Sequence, residues 1–352
     1  RFDVQPPARK NEVAARVQEG LNDVPISRTG MGDWGIQIPG DTDHAIYVWI
    51  DALFNYYSTV DTDQRRKFWP ADVHLIGKDI LWFHAVIWPA LLMALKLPLP
   101  RTVYAHSWWV KEVGGDSPIA RKVSKSLGNL VTLEELNELA DLFSQDAVRW
   151  YLATQGPLGP TDATFSDARF VEIYNSDLAN TLGNSFSRVT NMTGRYFEGK
   201  VPPVGDQEAD DLGPERTDAA VEAYRQAMDK ADLAGGAAAA LNLIREVDGY
   251  IERTAPFKLA KDPANEARVG AILHRCAEAI RIASVLLWPL MPWKMQALWQ
   301  NLGCFEYTES LADRGRGDLE TWCRWGGLTE DATLTTAEPL FPRYQPPKDS
   351  RD

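Results

Sequence analysis

Residues 45–58, AIYVWIDALFNYYS, and residues 73–95, VHLIGKDILWFHAVIWPALLMAL, decide the fold class of this chain. The runs Ile46–Ile50 (IYVWI) and Val73–Gly77 (VHLIG) are short, apolar and bounded by polar residues, so both are predicted to be strands. From Asp79 the chain becomes a long amphipathic segment, predicted to be a helix. Strand, loop, strand, helix is the order of half of a doubly wound α/β domain. In such sheets ligands sit beyond the carboxyl ends of the strands, so Trp49–Tyr56 and Gly77–His84 are the first places to look for chemistry.

Downstream, TVYAHSWWV (102–110) reads as one further strand. The loop EVGGDSPIARKVSKSLGN (112–129) follows, and then a helix opened by Thr132 with Glu135 three residues on, a capping box. Beyond Phe165 the pattern stays helical to about Leu302, interrupted by GKVPPVGDQEADDLGPERTD (199–218), and is predicted to be a helix bundle. The last stretch lacks helical periodicity, and disorder is expected beyond Tyr344. The fold expected is thus α/β followed by all-α. Its segments are 1–100 for the α/β part, 101–165 for a connecting region with the lysine loop, 166–312 for the bundle and 313–352 for a carboxyl-terminal extension.

At 352 residues the chain is long enough for two or three domains, and 45% hydrophobic with 24% charged residues suits a folded globular protein. Cys276, Cys304 and Cys323 are widely spaced, which predicts neither a disulfide framework nor a zinc site and points to a reducing, cytoplasmic compartment. The longest apolar stretch, Ile282–Trp293, is cut by Pro289 and Pro292, so no membrane span is predicted. A net charge of −12 argues against coating nucleic acid through bulk positive charge, so any such contact must be local. The opening RFDVQPPARKNEV carries no visible targeting signal, and its first residue reads as a cut or processed end.

The segment Lys122-Val123-Ser124-Lys125-Ser126 sets two lysines three apart with hydroxyls between, flanked by glycines. Such a loop is either a solvated turn or a cradle supplying ammonium charge where negative charge grows in phosphoryl or nucleotidyl transfer. Followed by LGN, it resembles the KMSKS signature of class I aminoacyl-tRNA synthetases. YVWIDALFNYY (47–57), HLIGKDILWFHAVIWPALL (74–92), YNSDLANTLGNSFSR (174–188), TAPFKLAKD (254–262) and LFPR (340–343) narrow the resemblance to the methionyl-tRNA synthetase family. The match runs in order from Pro25 onward.

A methionine pocket wants polarizable and aromatic walls, because a thioether gains from contact with rings. Trp49, Ala52, Leu53, Tyr56, Ile80 and His84 supply that set, and the resemblance implies that they bind methionine, with Tyr56 and His84 near the sulfur. It also implies a partial Rossmann-like catalytic domain in which Gly77, Lys78 and Asp79 border ATP. A carboxylate can accept ribose hydroxyls, as Asp79 would, though Asp79 can instead cap the helix it opens. Lys122 and Lys125 would be the catalytic pair on the departing pyrophosphate and, with Ser124 and Ser126, would bind ATP; the cofactors implied are ATP and Mg2+, with no metal-ligating residue assigned.

Between Asn175 and Arg195, Leu178, Leu182, Phe186 and Val189 form one stripe, with Asn184 and Arg188 on the opposite face. That face is either solvated or a reader of unstacked bases. The resemblance implies that Asn184, Arg188 and Phe257 bind the anticodon of tRNA-Met. Three residues depart from the family pattern: Val123 for methionine, Ser107 for the glycine of HGWW, and Phe257 for tryptophan. There is also no HIGH sequence and no cysteine-rich knuckle, so the chain is expected to lack the amino-terminal half of the catalytic domain. The function implied is methionine–tRNA ligation. The alternative is a non-catalytic tRNA-binding fragment or one half of a split synthetase.

Overall fold

The computed structural model describes residues 2–30, 34–113, 119–122, 131–204, 211–304, 318–329, 332–335 and 338–345. Two units emerge: Arg1–Gly128 with Pro157–Thr164, and Asn129–Gly156 with Phe165–Asp352. Residues 129–156, within the segment read from sequence as a connecting region, therefore cluster with the helices that follow.

The first unit is organised by a three-stranded parallel sheet in the order β1 (Asp3–Gln5), β6 (Thr102–His106), β5 (Val73–Gly77). VHLIG alternates as its sequence requires: His74 and Ile76 are buried while Val73 and Leu75 are exposed. Val4, Ile76, Val103 and Ala105 pack with Leu81 and Ala85 on one face of the sheet. A second sheet is antiparallel, β2 (Ser27–Thr29), β4 (Asp41–Ile46) and β3 (Gln37–Ile38). The third joins β7 (Trp109–Val113) antiparallel to β8 (Ile119–Lys122) and parallel to β9 (Ala163–Thr164). The opening helix α1 (Pro7–Gln18) was not anticipated from sequence.

Three sequence expectations change here. The run IYVWI is not a strand: β4 stops at Ile46, and Val48–Ser58 is helix α2. Trp49, Leu53 and Tyr56 recur four and three residues apart, and Leu53 is wholly buried against Ile87, Trp88 and Leu92, so helical periodicity prevails over local β-propensity. The segment from Asp79 is not one regular α-helix. It opens with a 3₁₀ turn (Lys78–Ile80), widens into a π-helical turn (Phe83–Ile87) and only then becomes α3 (Trp88–Ala94). Finally, TVYAHSWWV is two strands of two sheets, broken at Ser107, which is fully buried. Ser107 receives its fixed place from the 157–164 loop: its N–H donates to Pro157 O at 2.8 Å and its Oγ to Gly159 O at 3.1 Å.

The second unit is helical. Helix α4 (Leu133–Phe143) opens with the expected box, Thr132 Oγ1 accepting from Glu135 N–H and Glu135 accepting from Thr132 N–H. After α5 (Gln145–Gln155) and α6 (Asp167–Ile173), a π-helical stretch (Tyr174–Gly183) runs into α7 (Asn184–Phe197). Leu178, Leu182, Phe186 and Val189 are buried along it, as the stripe predicted. Helix α8 (Pro214–Met228) begins inside the stretch read as a loop. Helices α9 (Leu233–Thr254), α10 (Pro256–Leu259), α11 (Glu266–Leu287) and α12 (Pro292–Asn301) complete the bundle.

The carboxyl-terminal residues pack on this bundle. Tyr174 Oη donates to Pro342 O at 2.8 Å, and Asn175 exchanges two hydrogen bonds with the Tyr344 main chain. Within α11, Glu278 and Arg281 form a bidentate pair, both wholly buried. Glu278 accepts N–H from Gly326, Gly327 and Leu328, while Arg281 donates to the carbonyls of Trp322 and Arg324. Burial pushes the Glu278 carboxyl up, but Arg281 and those amides outweigh it and hold it below the usual range.

Candidate active site

The carboxyl end of β5 leads through the 3₁₀ turn at Lys78–Ile80 into the π-helical turn that carries His84. A π turn widens the helix by one residue and re-aims its side chains, a frequent device at functional sites. Here it sets His84 against α2. His84 Nδ1 lies 3.0 Å from Ile80 O, so the ring proton is assigned to Nδ1 by its only possible role there, as donor to a carbonyl. The acceptor Nε2 then receives the Tyr56 hydroxyl at 2.9 Å. Trp49, one turn before Leu53 on α2, stacks on Phe83 with centroids 4.2 Å apart and meets His84 edge-on at 6.1 Å.

His74 closes this cluster from the sheet. It is buried, its ring lies 4.3 Å from that of Tyr56, and its Nε2 has no hydrogen-bond partner. Burial, helped by neighbouring His84, brings its pKa down to about 4, and burial also lowers that of His84 against the opposing Ile80 carbonyl. Both imidazoles are therefore neutral near pH 7. Burial raises the Tyr56 phenol, which stays protonated as the donor. The result is an uncharged, ring-lined surface with a hydroxyl–imidazole pair in it.

Of the six residues expected around methionine, Trp49, Tyr56 and His84 come together. Ala52 is exposed on the same side of α2 as Trp49 and Tyr56. Leu53 belongs to the core with Trp88, and Ile80 packs toward the sheet core, contributing its carbonyl. Sequence reading missed Phe83 and His74. The alternation of VHLIG, which buries His74 beside Ile76, was the available signal for the second.

At the same strand ends, Gly77 has little room: a Cβ there would come within 2.6 Å of Asp79 Oδ1. The Asp79 carboxylate lies over the Gly77 main chain and accepts the Trp108 indole N–H at 3.4 Å, and no side-chain cap bond is made at this 3₁₀ turn. Lys78 pairs with Asp162 at 2.5 Å and lies 4.2 Å from the Trp108 ring centroid. Lys122 ends β8, and its side chain lies outside the described residues, as do Ser124, Lys125 and Ser126 entirely.

In the helical unit Asn184 is exposed, but Arg188 is not a free reader. It is half-buried and pairs with Asp248 at 3.3 Å and Glu252 at 2.5 Å. Asp248 also accepts the Ser185 hydroxyl at 2.6 Å, and burial raises its carboxyl against the pull of Ser185 and Arg188. Phe257, 39% exposed, follows five residues after Glu252, just past a left-handed turn at Ala255. Among the described residues no cluster of three or more His, Cys, Asp or Glu is arranged to hold a metal ion, and no helix is long and apolar enough to cross a membrane.

Residues 3–190 match the family described as tRNA synthetases class I (M). The methionine–tRNA ligase of Streptomyces coelicolor is 43% identical over 351 residues, 97% of this chain and 62% of that protein. That of Bacillus subtilis is 37% identical over 350 residues, 97% of this chain and 50% of its own length. The chain thus spans about half to three fifths of the length of the curated relatives it matches. Among solved structures, methionyl-tRNA synthetase of Mycobacterium tuberculosis in complex with methionyl-adenylate aligns with a TM-score of 0.80 at 34% identity, over 97% of this chain and 64% of that one. Its apo form aligns with a TM-score of 0.79, again at 34% identity, over 98% of this chain and 65% of the other.

Proposed function

The chain belongs to the class I (M) tRNA synthetase family, and on that footing we propose that it carries part of the activating site, and the anticodon-reading bundle, of a methionine–tRNA ligase. The observation that carries the reading is the Trp49, Tyr56 and His84 constellation at the end of β5, immediately beside Gly77 and Asp79. It sets an uncharged aromatic surface, suited to a thioether, next to a carboxylate suited to a ribose.

In the reaction proposed, a carboxylate oxygen of methionine attacks the α-phosphorus of ATP and pyrophosphate leaves, giving methionyl-adenylate. A terminal ribose hydroxyl of tRNA-Met then attacks the methionyl carbonyl and AMP leaves. This chain's residues act by positioning and by charge rather than by covalent chemistry. Trp49 packs against the methionine side chain, and Tyr56 with His84 faces its sulfur. Ala52 leaves room at the helix surface, while Leu53 and Ile80 set the wall from behind. Gly77, Lys78 and Asp79 border the nucleoside, and the lysine loop acts on the phosphates, Lys122 and Lys125 with Ser124 and Ser126 stabilising the departing pyrophosphate. Magnesium arrives with ATP as part of the substrate, since Mg2+ is commonly held by phosphates and one or two carboxylates.

Asn184 offers its amide to a base edge. Arg188, with two of its donors engaged by carboxylates, presents a guanidinium plane for stacking, and Phe257 adds a ring. The setting is the cytoplasm, where the amino-terminal part of the catalytic domain completes the site. Methionine-dependent exchange of pyrophosphate into ATP by the full-length protein tests the proposal, and exchange stimulated by another amino acid and not by methionine would sink it.

A further inference from the structure

We propose that Trp108 is a positioning residue for a nucleotide's ribose, acting through Asp79, and that Asp162 completes the device. Trp108 stands in the break between β6 and β7, and three of its contacts bear on Lys78, Asp79 and Asp162. Its indole N–H donates to Asp79 Oδ1 at 3.4 Å, its ring carries the Lys78 ammonium at 4.2 Å, and its main-chain N–H donates to Asp162 Oδ1 at 2.9 Å. The same Asp162 oxygen accepts Lys78 Nζ at 2.5 Å. Two stretches of chain, 77–79 and 157–164, thereby converge on Trp108, the first on its indole and the second on its main-chain N–H.

The loop that brings Asp162 is itself pinned. Tyr104 Oη donates to Leu158 O at 2.5 Å, Ser107 N–H to Pro157 O at 2.8 Å, Ser107 Oγ to Gly159 O at 3.1 Å and Arg9 Nη2 to Pro160 O at 3.0 Å. Asp162 is thus held in register with β6. Its carboxyl feels burial pushing it up, but Lys78 and the Trp108 amide outweigh this and keep it below the usual range, so it stays ionised as a partner.

Charge then selects the ligand. Asp162 cancels the Lys78 ammonium, which leaves Asp79 as the uncompensated charge of the turn. A phosphate would be repelled there, whereas hydroxyl groups donate to a carboxylate with gain. The indole engages Oδ1 and orients the plane of the exposed carboxylate, leaving Oδ2 to accept. The device therefore suits a ribose, with the phosphates directed elsewhere. This rests on the nucleotide site proposed above, but not on which amino acid that site activates.

The test is titration calorimetry on the full-length protein with ATP, 2′-deoxy-ATP and 3′-deoxy-ATP. The parent is expected to bind one deoxy analogue about tenfold or more weakly than ATP, the scale of a hydrogen bond to a charged group. Trp108→Phe keeps the ring beneath Lys78 and loses the N–H. It should weaken ATP, leave that analogue unchanged, and bring the two affinities within about threefold of each other. Asp162→Asn repeats the test should the first variant not fold, and should narrow the same ratio. A parental ratio retained in the folded variants overturns the proposal, as does a parent that does not distinguish the analogues or binds none of them. A ratio that collapses in a protein that activates some amino acid other than methionine upholds this inference while refuting the function proposed above.

Discussion

Tyr56 donates its hydroxyl to His84 Nε2 at 2.9 Å while His84 Nδ1 is satisfied by the carbonyl of Ile80, four residues back on the same turn. The imidazole is thereby held in one tautomer and one orientation, and the phenol has its proton pointed along a defined line. A residue from α2 and a residue from the π-helical turn thus behave as one group.

Tyr56→Phe keeps the ring and removes the donor, leaving a buried Nε2 unpaired. The expected cost is about 1–3 kcal/mol in methionine binding, appearing as a raised KM with kcat little changed. Discrimination against homocysteine and leucine should fall with it, because shape alone is worth only about 1–3 kcal/mol in such a pocket. Exchange kinetics with the three amino acids read both quantities, and unchanged selectivity ratios would refute the assignment.

His74 links this cluster to pH. Its folded pKa, about 4, lies below the unfolded value of 6.5, so between those limits the unfolded chain binds the extra proton. Stability is then retained above about pH 6.5 and lost as pH falls toward 4, with a ceiling near 3 kcal/mol from this group. His74→Phe should flatten the dependence in that window and leave it unchanged from pH 7 to 8. Urea unfolding at a series of pH values measures it, and a variant as acid-sensitive as the parent would contradict the burial argument.

The Glu278 and Arg281 pair anchors residues 322–328 to α11. Glu278→Ala would leave a buried guanidinium without its counter-charge and three main-chain amides without their acceptor, and should destabilise the helical unit by about 3–5 kcal/mol. Replacing both residues with apolar ones should recover only part of that, because the amides remain unsatisfied. Denaturant midpoints of the single and double variants decide this. A single variant within about 1 kcal/mol of the parent would show the segment to be held by other contacts.

On the bundle, Arg188→Ala should weaken charging of tRNA-Met by about 1–3 kcal/mol without touching amino-acid activation, and Phe257→Ala should act in the same direction through lost stacking. Glu252→Gln, by loosening Arg188, should give a smaller loss. Aminoacylation of a tRNA carrying CAU, compared with one carrying an altered anticodon, provides the measurement. Equal losses on both tRNAs would return this face to a structural role.

What the sequence determined by itself is what short-range periodicity and chemical identity carry. The alternation of VHLIG required β5, Thr132 with Glu135 required the start of α4, and the stripe from Leu178 to Val189 required a buried helix face. The residue types around Trp49, Tyr56 and His84 singled out the candidate site. Tertiary structure decided the rest. YVWI, apolar throughout, suits a strand as well as a helix, and only the core around Trp88 made it α2. The widened turn at Phe83–Ile87 leaves no mark in the residue pattern, yet it aims His84 at Tyr56. Lys78 and Asp162 are 84 residues apart, Arg188 and Asp248 60, and Glu278 and Leu328 50. A charged residue's partner is set by where the chain returns, since attraction between charges acts through space, and local sequence records only its neighbours along the chain.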